Sequence, residues 1–449
     1  MRQRGRHRRR RRGRVLRAAL AGTGLALTAA ATLISTSQAT IAVDPGALKP
    51  LTSSTELDRL RLTEQPVPQR SLDRLAAAMG QPVGVTEVLD SADRRLRTED
   101  QCSAEEKKAL PIEPAATRAY CWDTADATTR HWQPKSVTTS GDADTDGRWG
   151  AHRVILSGWS YDAGDGRGLA RVAFVNADDP DNLTYTWALL VVPVDGGRDY
   201  RGLVSRVSGM VWYRNKLLVT TSGAERDALY VYDLHRIQRA TVDSKAVGRV
   251  PGGWSAHGYR WVLPAVASYR PADGDCVEPS GRGGAERSAP PCPDGLSLDR
   301  SSAPETLVAS RAAPAADGNG RTLLWRYSLS RDPARPGLLA TDSSGTAAAH
   351  EAYESRASGV RGVLSHRTHP LSPPDWYLGR PADEGTRGIL LRQDRRGAKT
   401  IACGPEGTHH CWGDGTGSLS YWQETGEIWS LSGRMLFALP LSSVDREMR

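Results

Sequence analysis

The residues best suited to metal chemistry lie in a short acidic run at 142–147, which reads DADTDG. Asp142, Asp144 and Asp146 alternate along this run, so they could present carboxylate oxygens to one point, and the final glycine allows the sharp turn of a calcium loop. An EF-hand would close its site with a glutamate at the position where this chain has Arg153. We therefore predict a calcium loop completed from elsewhere in the fold, with a solvated acidic turn between strands as the alternative.

A second candidate for chemistry is Glu406, in the loop CGPEGTHHC that Cys403 and Cys411 enclose. A carboxylate beside two histidines in a rigid loop could take part in acid–base catalysis. It could equally anchor the loop by accepting hydrogen bonds from backbone amides, and the sequence favours this structural role. Glu406 is nevertheless the catalytic candidate of the chain.

Several catalytic signatures are incomplete or missing. The run at 350–354 reads HEAYE, and it lacks the second histidine of a zinc peptidase. The sequence has no G-x-S-x-G elbow, no phosphate loop and no dinucleotide fingerprint. His366 with His369, and His409 with His410, could bind a metal, with surface or turn positions as the alternative. These gaps favour a protein without catalytic activity.

Tryptophan is the other suggestive residue type, with 13 Trp against 2 Phe. Exposed indoles stack on sugar rings, and aromatic side chains anchor many binding sites. Most of these tryptophans lie in strand-like runs, which favours packing in the core. Trp254, Trp376 and Trp412 lie near loop sequence, and we predict them as ligand contacts.

The elements that must position these residues are mainly β-strands from Cys121 onward. Short runs alternate between apolar and polar residues, as in RTLLWRYSL at 321–329 and ALYVYDL at 228–234. The run LLVVPV at 189–194 is apolar throughout and predicts a buried strand. Glycine-rich turns separate these runs.

Two segments look like copies of one unit, GMVWYRNKLLVTT at 209–221 and GSLSYWQETGEIWSLS at 417–432. Each has a glycine, an aromatic pair, a polar turn and an alternating strand. A glycine-led aromatic hairpin repeated along an all-β region is typical of propeller blades. At about 40–50 residues per blade, residues 121–449 would hold five to seven blades, with a pair of β-sandwiches as the alternative.

The region at 40–120 has a different character, because it contains no tryptophan and shows helical spacing. Leucines recur through 53–62, and the run at 71–79 begins with a serine cap and stops at Gly80. We predict a small helical N-terminal region of two or three short helices that packs against the β region.

Residues 1–39 have the three parts of an export signal: ten arginines between Arg2 and Arg17, an apolar run at 18–34, and a small-x-small exit ending at Ala39. The apolar run is shorter than the ~20 residues of a spanning helix. We therefore predict cleavage, secretion and no stable membrane span afterwards, with an uncleaved anchor as the alternative. Removing the signal leaves 49 basic against 51 acidic residues, so charge gives no reason to expect nucleic acid as a partner.

The six cysteines fall into three close pairs, and an even number in an exported chain indicates disulfides. Each cysteine has one near neighbour, which favours local pairing. The region around the second pair, 275–293, is rich in proline, glycine and serine, so its disulfide could restrain the rim of a binding face or protect a loop from proteolysis. The predicted disulfides are Cys102–Cys121, Cys276–Cys292 and Cys403–Cys411.

The run at 208–234, SGMVWYRNKLLVTTSGAERDALYVYDL, resembles a pattern of uncharacterised secreted β-propeller-like proteins of actinobacteria. In that family a G-x-x-W-Y-x-x-x-L-x-V hairpin precedes a G-L-x-V-F-D-L strand, and this chain departs from it at Ala228. The stretches 156–176 and 403–431 resemble other blocks of the family, so the resemblance covers about residues 130–445. It implies a propeller fold and secretion, and it supplies no catalytic residues.

These features together predict an exported propeller that binds a ligand, a polysaccharide or a protein partner outside the cell. A first alternative is an extracellular hydrolase or lyase acting on glycans or lactones at the propeller channel. That enzyme would use the carboxylates of Asp142, Asp144, Asp146 and Glu406. A second alternative is a structural protein of the cell envelope.

Overall fold

The computed structural model describes residues 44–448 with eight gaps, at 163–167, 222–224, 277–289, 314–319, 369–371, 383–385, 404–408 and 416. Residues 44–449 form one compact unit. The predicted export signal at 1–39 lies outside the described residues. Among the residues that are described, no helix is both long enough and apolar enough to cross a membrane.

The helices are short and lie mostly in the N-terminal region. In chain order they are α1 (Ser54–Asp58), α2 (Gln69–Met79), α3 (Val85–Asp90), α4 (Ala104–Lys107), α5 (Thr124–Thr128), α6 (Ser140–Ala143) and α7 (Leu441–Glu447), with a 3-10 turn at Glu99–Gln101.

The strands are numbered in chain order. The N-terminal region contributes β1 (Lys49–Pro50), β2 (Leu62–Pro66), β3 (Arg94–Arg95), β4 (Arg97–Thr98) and β5 (Arg118–Cys121). The next are β6 (Trp132–Thr139), β7 (Val154–Tyr161), β8 (Ala170–Asn176), β9 (Thr184–Val194), β10 (Asp199–Gly202), β11 (Met210–Tyr213), β12 (Lys216–Thr220), β13 (Leu229–Asp233), β14 (Gln238–Arg239), β15 (Val247–Val250), β16 (Gly253–Ala256) and β17 (Trp261–Pro271). The last are β18 (Gly295–Asp299), β19 (Thr306–Ala312), β20 (Thr322–Ser328), β21 (Thr346–Ala347), β22 (Ala349–Ser355), β23 (Gly362–His366), β24 (Asp375–Arg380), β25 (Ile389–Gln393), β26 (Ala398–Thr400), β27 (Ala402–Cys403), β28 (His409–His410), β29 (Leu419–Trp422), β30 (Glu427–Ser432) and β31 (Met435–Pro440).

The main strands form antiparallel meanders of four strands each. In chain order of their first strands, these are β6-β7-β8-β9, β11-β12-β13-β17, β18-β19-β20-β22, β23-β24-β25-β26 and β29-β30-β31-β5. We call the strand that begins each meander its first strand. Each first strand contacts the first strand of the next meander, and β29 contacts β6, so the five first strands close a ring. The described chain is therefore mainly β, and its fold is β-propeller-like.

The N-terminal region is woven into these sheets. Strand β5 pairs antiparallel with β31 and β4 pairs with β5, so residues from before position 122 complete the meander that contains β29. Strand β2 pairs with β17, and β1 pairs with β22. The four helices α1–α4 lie between these strands. The predicted boundary at 120 consequently does not separate two bodies, because the last meander takes its fourth strand from the N-terminal side.

The two predicted copies of a hairpin are both present. The first is β11–β12, whose two-residue turn places Arg214 at a φ of 52°, the left-handed conformation that matches the twist of paired strands. The second is β29–β30, whose turn includes Gly426 at a φ of 72°. The alternating run at 321–329 also forms the predicted strand, β20, with Trp325 and Tyr327 on one buried face.

The apolar cores lie between neighbouring meanders. One core combines residues of β7–β9 with residues of β11–β13, and a second combines β11–β13 with β18–β20. A third joins the β23 and β29 meanders, and a fourth joins the β29 and β6 meanders. Helix α2 buries Leu72, Leu75 and Met79, which share one face at helical spacing. This packing fixes the meanders side by side around the ring.

The three predicted disulfides are all present. Cys102 pairs with Cys121, Cys276 with Cys292, and Cys403 with Cys411. The first disulfide attaches β5 to the segment after β4, so it holds the strand that completes the last meander. Removing a disulfide of this kind typically costs about 2–5 kcal/mol of stability in a small domain.

Candidate ligand-binding site

The first strands run in the same direction, so their ring has two distinct ends. At one end, the backbone of Lys135 in β6 lies close to Gly417, which precedes β29. A Cβ added to Gly417 would lie only 3.0 Å from the Lys135 carbonyl oxygen. Beyond the other end of β6, Asp142 accepts a hydrogen bond from Ser420 of β29. We name these the Lys135 end and the Asp142 end.

At the Asp142 end, the predicted calcium loop begins with a buried carboxylate. Helix α6 turns Asp142 inward, where its Oδ2 accepts hydrogen bonds of 2.8 Å from Thr138 Oγ1 and from Ser420 Oγ. Its side chain is almost fully buried. Burial disfavours the charged form and raises the pKa of Asp142 to about 7, although the two hydroxyl donors act in the opposite direction.

The other two aspartates of this loop are exposed and bond to their own backbone. Asp144 Oδ1 accepts from the Thr145 amide at 2.6 Å, and Asp146 Oδ1 accepts from the Arg148 amide at 2.9 Å. The expected convergence of the three carboxylates is therefore absent, because burial of the first turns it away from the others. The described residues include no group of three His, Cys, Asp or Glu side chains that could hold a metal ion. Calcium binding therefore stays a prediction, and the described residues do not show which side chains would be its ligands.

The segment around α6 is bonded to three other meanders. Arg300, which follows β18, donates to the Gly141 carbonyl and makes an ion pair of 3.2 Å with Glu424 beyond β29. The Arg214 amide, in the β11–β12 turn, donates to the Ala143 carbonyl at 3.0 Å. The polar groups of the Asp142 end are thus used within the protein.

The three tryptophans predicted as ligand contacts lie in the core. Trp254 belongs to β16 and is 6% exposed, Trp376 belongs to β24 and is 1% exposed, and Trp412 is fully buried in a bridge with Gly388. Trp254 stacks on Tyr200. All three lie in strands or a bridge whose side chains are covered by the core. A role in ligand contact stays a prediction that would require these indoles to be uncovered.

Four other tryptophans surround a buried arginine. The guanidinium of Arg171 lies 3.5 Å from the ring centre of Trp187, 4.3 Å from that of Trp132 and 5.2 Å from that of Trp159, and Trp122 packs against the cluster. Such aromatic cages bind cations. Here the protein's own arginine fills the cage, which explains much of the tryptophan content as core packing.

Asp126 neutralises this caged arginine. It accepts hydrogen bonds of 2.9 Å from Arg171 and 2.7 Å from Arg94, together with bonds from Tyr185 and Trp187. Burial acts to raise the pKa of Asp126, but the two guanidinium groups outweigh it and hold the pKa below its ordinary value. This buried ion pair is a structural element of the wall between meanders.

A similar buried pair occupies the wall between β18 and β23. Arg326 contacts Asp299 and Ser365, makes a 2.9 Å ion pair with Glu351, and lies 4.7 Å from the ring centre of Trp376. Glu351 belongs to the HEAYE run, which forms strand β22 rather than the helix of a zinc peptidase. Its carboxylate is therefore used in an ion pair.

Two further candidates cannot be placed. Glu406 lies outside the described residues, as does His369. His410 is in β28, which pairs with β27 beside the Cys403–Cys411 disulfide. The partner of His369 in the sequence, His366, packs against Tyr421 at the end of β23.

The Lys135 end carries a cluster of basic residues that the sequence reasoning missed. Lys135 lies at a bulge in β6, Arg206 precedes β11, Arg361 precedes β23, and Arg434 lies in the β30–β31 turn. Burial lowers the pKa of Lys135, and the charges of the three arginines lower it further, while Asp162 opposes them. We name these four residues the basic cluster. No sequence motif marks this cluster, because its members are far apart along the chain.

Comparison with known proteins gives no identity for this chain. No family model matches it, and no curated protein matches it. Among solved structures, a gluconolactonase from Xanthomonas campestris covers 81% of this chain and 98% of its own, with 13% identity and a TM-score of 0.27. A chain from the complex of Drosophila Plexin A with Semaphorin 1b covers 74% and 88%, with 8% identity and a TM-score of 0.25. Both similarities are too low to support an inference about activity.

Proposed function

We propose that this protein is an extracellular, non-catalytic binding protein whose five meanders are the five blades of a propeller. Its ligand binds at the Lys135 end of the ring of first strands. Three disulfides support a working place outside the cell, because such bonds persist in oxidising compartments. Propellers commonly carry function at one end of their central channel.

The observation that carries this proposal is the difference in bonding between the two ends. At the Asp142 end, Asp142 and Arg300 bond to other parts of the protein. At the Lys135 end, neither the Lys135 ammonium nor the Arg361 guanidinium makes a hydrogen bond or ion pair within the part of the chain that the structure describes. Polar groups that the protein leaves unbonded are available to a ligand.

The proposal is non-catalytic because the buried carboxylates found here are committed to structure. Asp126 and Asp299 neutralise buried arginines, and Asp142 is enclosed by hydroxyl donors. A hydrolase or lyase acting on glycans or lactones would need a carboxylate free to reach its substrate.

The experiment incubates the purified protein with insoluble cell-wall and plant polysaccharides and measures bound protein and released soluble sugar in the same samples. Binding without release supports the proposal. Release of sugar would overturn it in favour of the hydrolase or lyase. Neither binding nor release would also contradict it and would favour a structural role in the envelope.

The location of the ligand face has its own test. A bulky maleimide attached to Arg361→Cys should block binding, because it would cover the Lys135 end. The matched control carries the same label on Arg148→Cys. This variant also removes one arginine, but at the Asp142 end. Equal loss of binding with both labels would contradict the assignment of the ligand face.

A further inference from the structure

We infer that the Lys135 end recognises an anionic polysaccharide, through carboxylate or phosphate groups held by the basic cluster. This inference rests on the proposed function and names the class of ligand for the same face. The charges of Arg206, Arg361 and Arg434 all act on Lys135, and these residues come from separate segments. The Arg434 guanidinium donates to the carbonyls of Asp126 and Thr129, so Lys135 and Arg361 are the members whose side chains have no bonded partner among the described residues.

Contacts of neighbouring backbone place these four residues together. Ser136, next to Lys135, donates to the Val207 carbonyl at 2.6 Å, and this bond holds the segment of Arg206 against β6. The Arg434 guanidinium lies 5.5 Å from the ring centre of Trp159, and Trp159 pairs with Pro134 across β6 and β7.

The position of Arg361 is fixed in the same way. The backbone of Arg361 lies close to Gly295, the first residue of β18, since a Cβ added to Gly295 would lie 3.0 Å from the Arg361 carbonyl oxygen. The amide of Arg361 donates to the Gly379 carbonyl at 2.8 Å. The cluster therefore surrounds the start of the ring on rigid strand ends, and it does not depend on long loops.

Lys135 and Arg361 differ from the buried arginines of the molecule, because neither makes an ion pair within the described residues. Arg171 has Asp126 at 2.9 Å, Arg326 has Glu351 at 2.9 Å, and Arg300 has Glu424 at 3.2 Å. Each of these arginines is neutralised by a carboxylate in direct contact. Burial and the charges of Arg206, Arg361 and Arg434 disfavour the charged form of Lys135, while Asp162 opposes them, and a bound anion would stabilise the ammonium further.

The chemistry of the ligand follows from the donors. A guanidinium presents paired N–H groups that match carboxylate or phosphate oxygens, and an ammonium adds a compact charge. Because Lys135 lies in β6 and Arg361 directly precedes β23, an anion held between them would contact two different meanders. In an exported protein, acidic polysaccharides are polymers that supply such groups repeatedly.

The test measures the Kd of the purified protein for polygalacturonate, for its fully methyl-esterified form, and for inorganic polyphosphate. The esterified polymer keeps the backbone and loses the charge. We expect it to bind at least about tenfold more weakly than the anionic form, since a charge-assisted hydrogen bond contributes about 1.5–3 kcal/mol. Tight binding of polygalacturonate supports the inference and assigns carboxylate as a recognised group. Tighter binding of polyphosphate beside it would show that phosphate is the preferred group, whereas binding of polyphosphate without any polysaccharide would overturn the inference.

Variants test whether the basic cluster is responsible. Lys135→Gln and Arg361→Gln should each weaken binding of the tighter polyanion about tenfold, while Arg148→Gln at the Asp142 end leaves it unchanged. Raising NaCl from about 0.05 to about 0.5 M should weaken the wild type more than the double variant, because salt screens the removed charges.

Three outcomes would overturn the inference. Equal affinity for the esterified and anionic polymers would show that charge is not recognised, and the proposed binding function would survive. Equal weakening by Arg148→Gln would show a general charge effect in place of a site. Failure of the protein to bind any polysaccharide, charged or neutral, would remove the proposed function as well.

Discussion

The two ends of the ring of first strands use charged residues in opposite ways. At the Asp142 end, a carboxylate is buried under two hydroxyl donors, and Arg300 joins α6 to the β18 and β29 meanders. At the Lys135 end, the charges of three arginines act on Lys135, and the side chains of Lys135 and Arg361 have no bonded partner among the described residues. The charged groups of Asp142 and Arg300 are therefore bonded within the protein, whereas those of Lys135 and Arg361 at the opposite end are available to an anion.

This difference teaches that the residue types most suggestive of chemistry need not mark the site. The aspartate run at 142–147 and the tryptophans attract attention first, yet many of them serve packing. The basic cluster has no motif, and only the closing of the ring brings its members together. Variants in the wall between meanders that holds Arg171, and at each end of the ring, test this contrast.

The largest expected effect is on the buried ion pair in that wall. Asp126→Ala should destabilise the protein by about 3–5 kcal/mol, because it leaves Arg171 buried without a counterion. Urea unfolding measures the loss. The control is Asp58→Ala, whose carboxylate is half-exposed in a surface pair with Arg61. Similar losses in both variants would mean that the wall pair is not buried as described.

The buried carboxylate of the Asp142 end predicts a dependence of stability on pH. Between about pH 4 and 7 the unfolded chain ionises Asp142 while the folded protein keeps the proton, so this group lowers the free energy of unfolding as pH rises, by up to about 1.4 kcal/mol per unit. Asp142→Asn removes this contribution to the pH dependence of the free energy of unfolding. Relative to wild type, the variant should gain about 2–3 kcal/mol between pH 5 and pH 8.

Urea unfolding at the two pH values provides the measurement. Asp146→Asn is the control, because its carboxylate is exposed in the same loop. Parallel pH curves for wild type and Asp142→Asn would contradict the buried position of this carboxylate.

The packing of α6 against β29 can be disturbed directly. A Cβ on Gly141 would lie 2.5 Å from a ring carbon of Trp422 and 3.0 Å from its Cα, so Gly141→Ala should cost about 1–3 kcal/mol. Gly397→Ala is the matched control, because nothing lies within 4 Å of its added Cβ. Thermal unfolding of the two variants should differ clearly, and equal midpoints would show that α6 is not packed on Trp422.

The smallest expected effect on stability is at the Lys135 end. Arg361→Gln should change the free energy of unfolding by less than about 0.5 kcal/mol, because its guanidinium is exposed and unbonded among the described residues. Urea unfolding beside Arg148→Gln provides the comparison. A loss above about 2 kcal/mol would indicate a structural role for Arg361 and would weaken the contrast between the two ends.

Much of the β architecture follows from local sequence. The hairpins β11–β12 and β29–β30, the strand β20 and the three disulfides all result from short-range patterns, because a turn, an alternating face or a nearby cysteine is specified within about ten to twenty residues. The addition of β5 to β31 could not be predicted in this way, since it joins residues more than 300 positions apart.

The candidate site was harder to predict for the same reason. Lys135, Arg206 and Arg361 are distant in sequence, and each resembles an ordinary surface residue until the first strands close into a ring. The burial of Asp142 depends equally on Ser420, which arrives from the last meander. Local patterns specify hairpins, whereas the distribution of charge between the two ends depends on the closed topology.

The most direct test of the contrast between the ends is a hydrogen-exchange footprint of the protein with and without the tighter-binding polyanion. Binding should slow exchange at the start of β6, before β11 and before β23, around Lys135, Arg206 and Arg361. Exchange in the 140–147 segment should remain unchanged. Protection confined to 140–147 and the Arg300 region would contradict the account and move the ligand face to the Asp142 end.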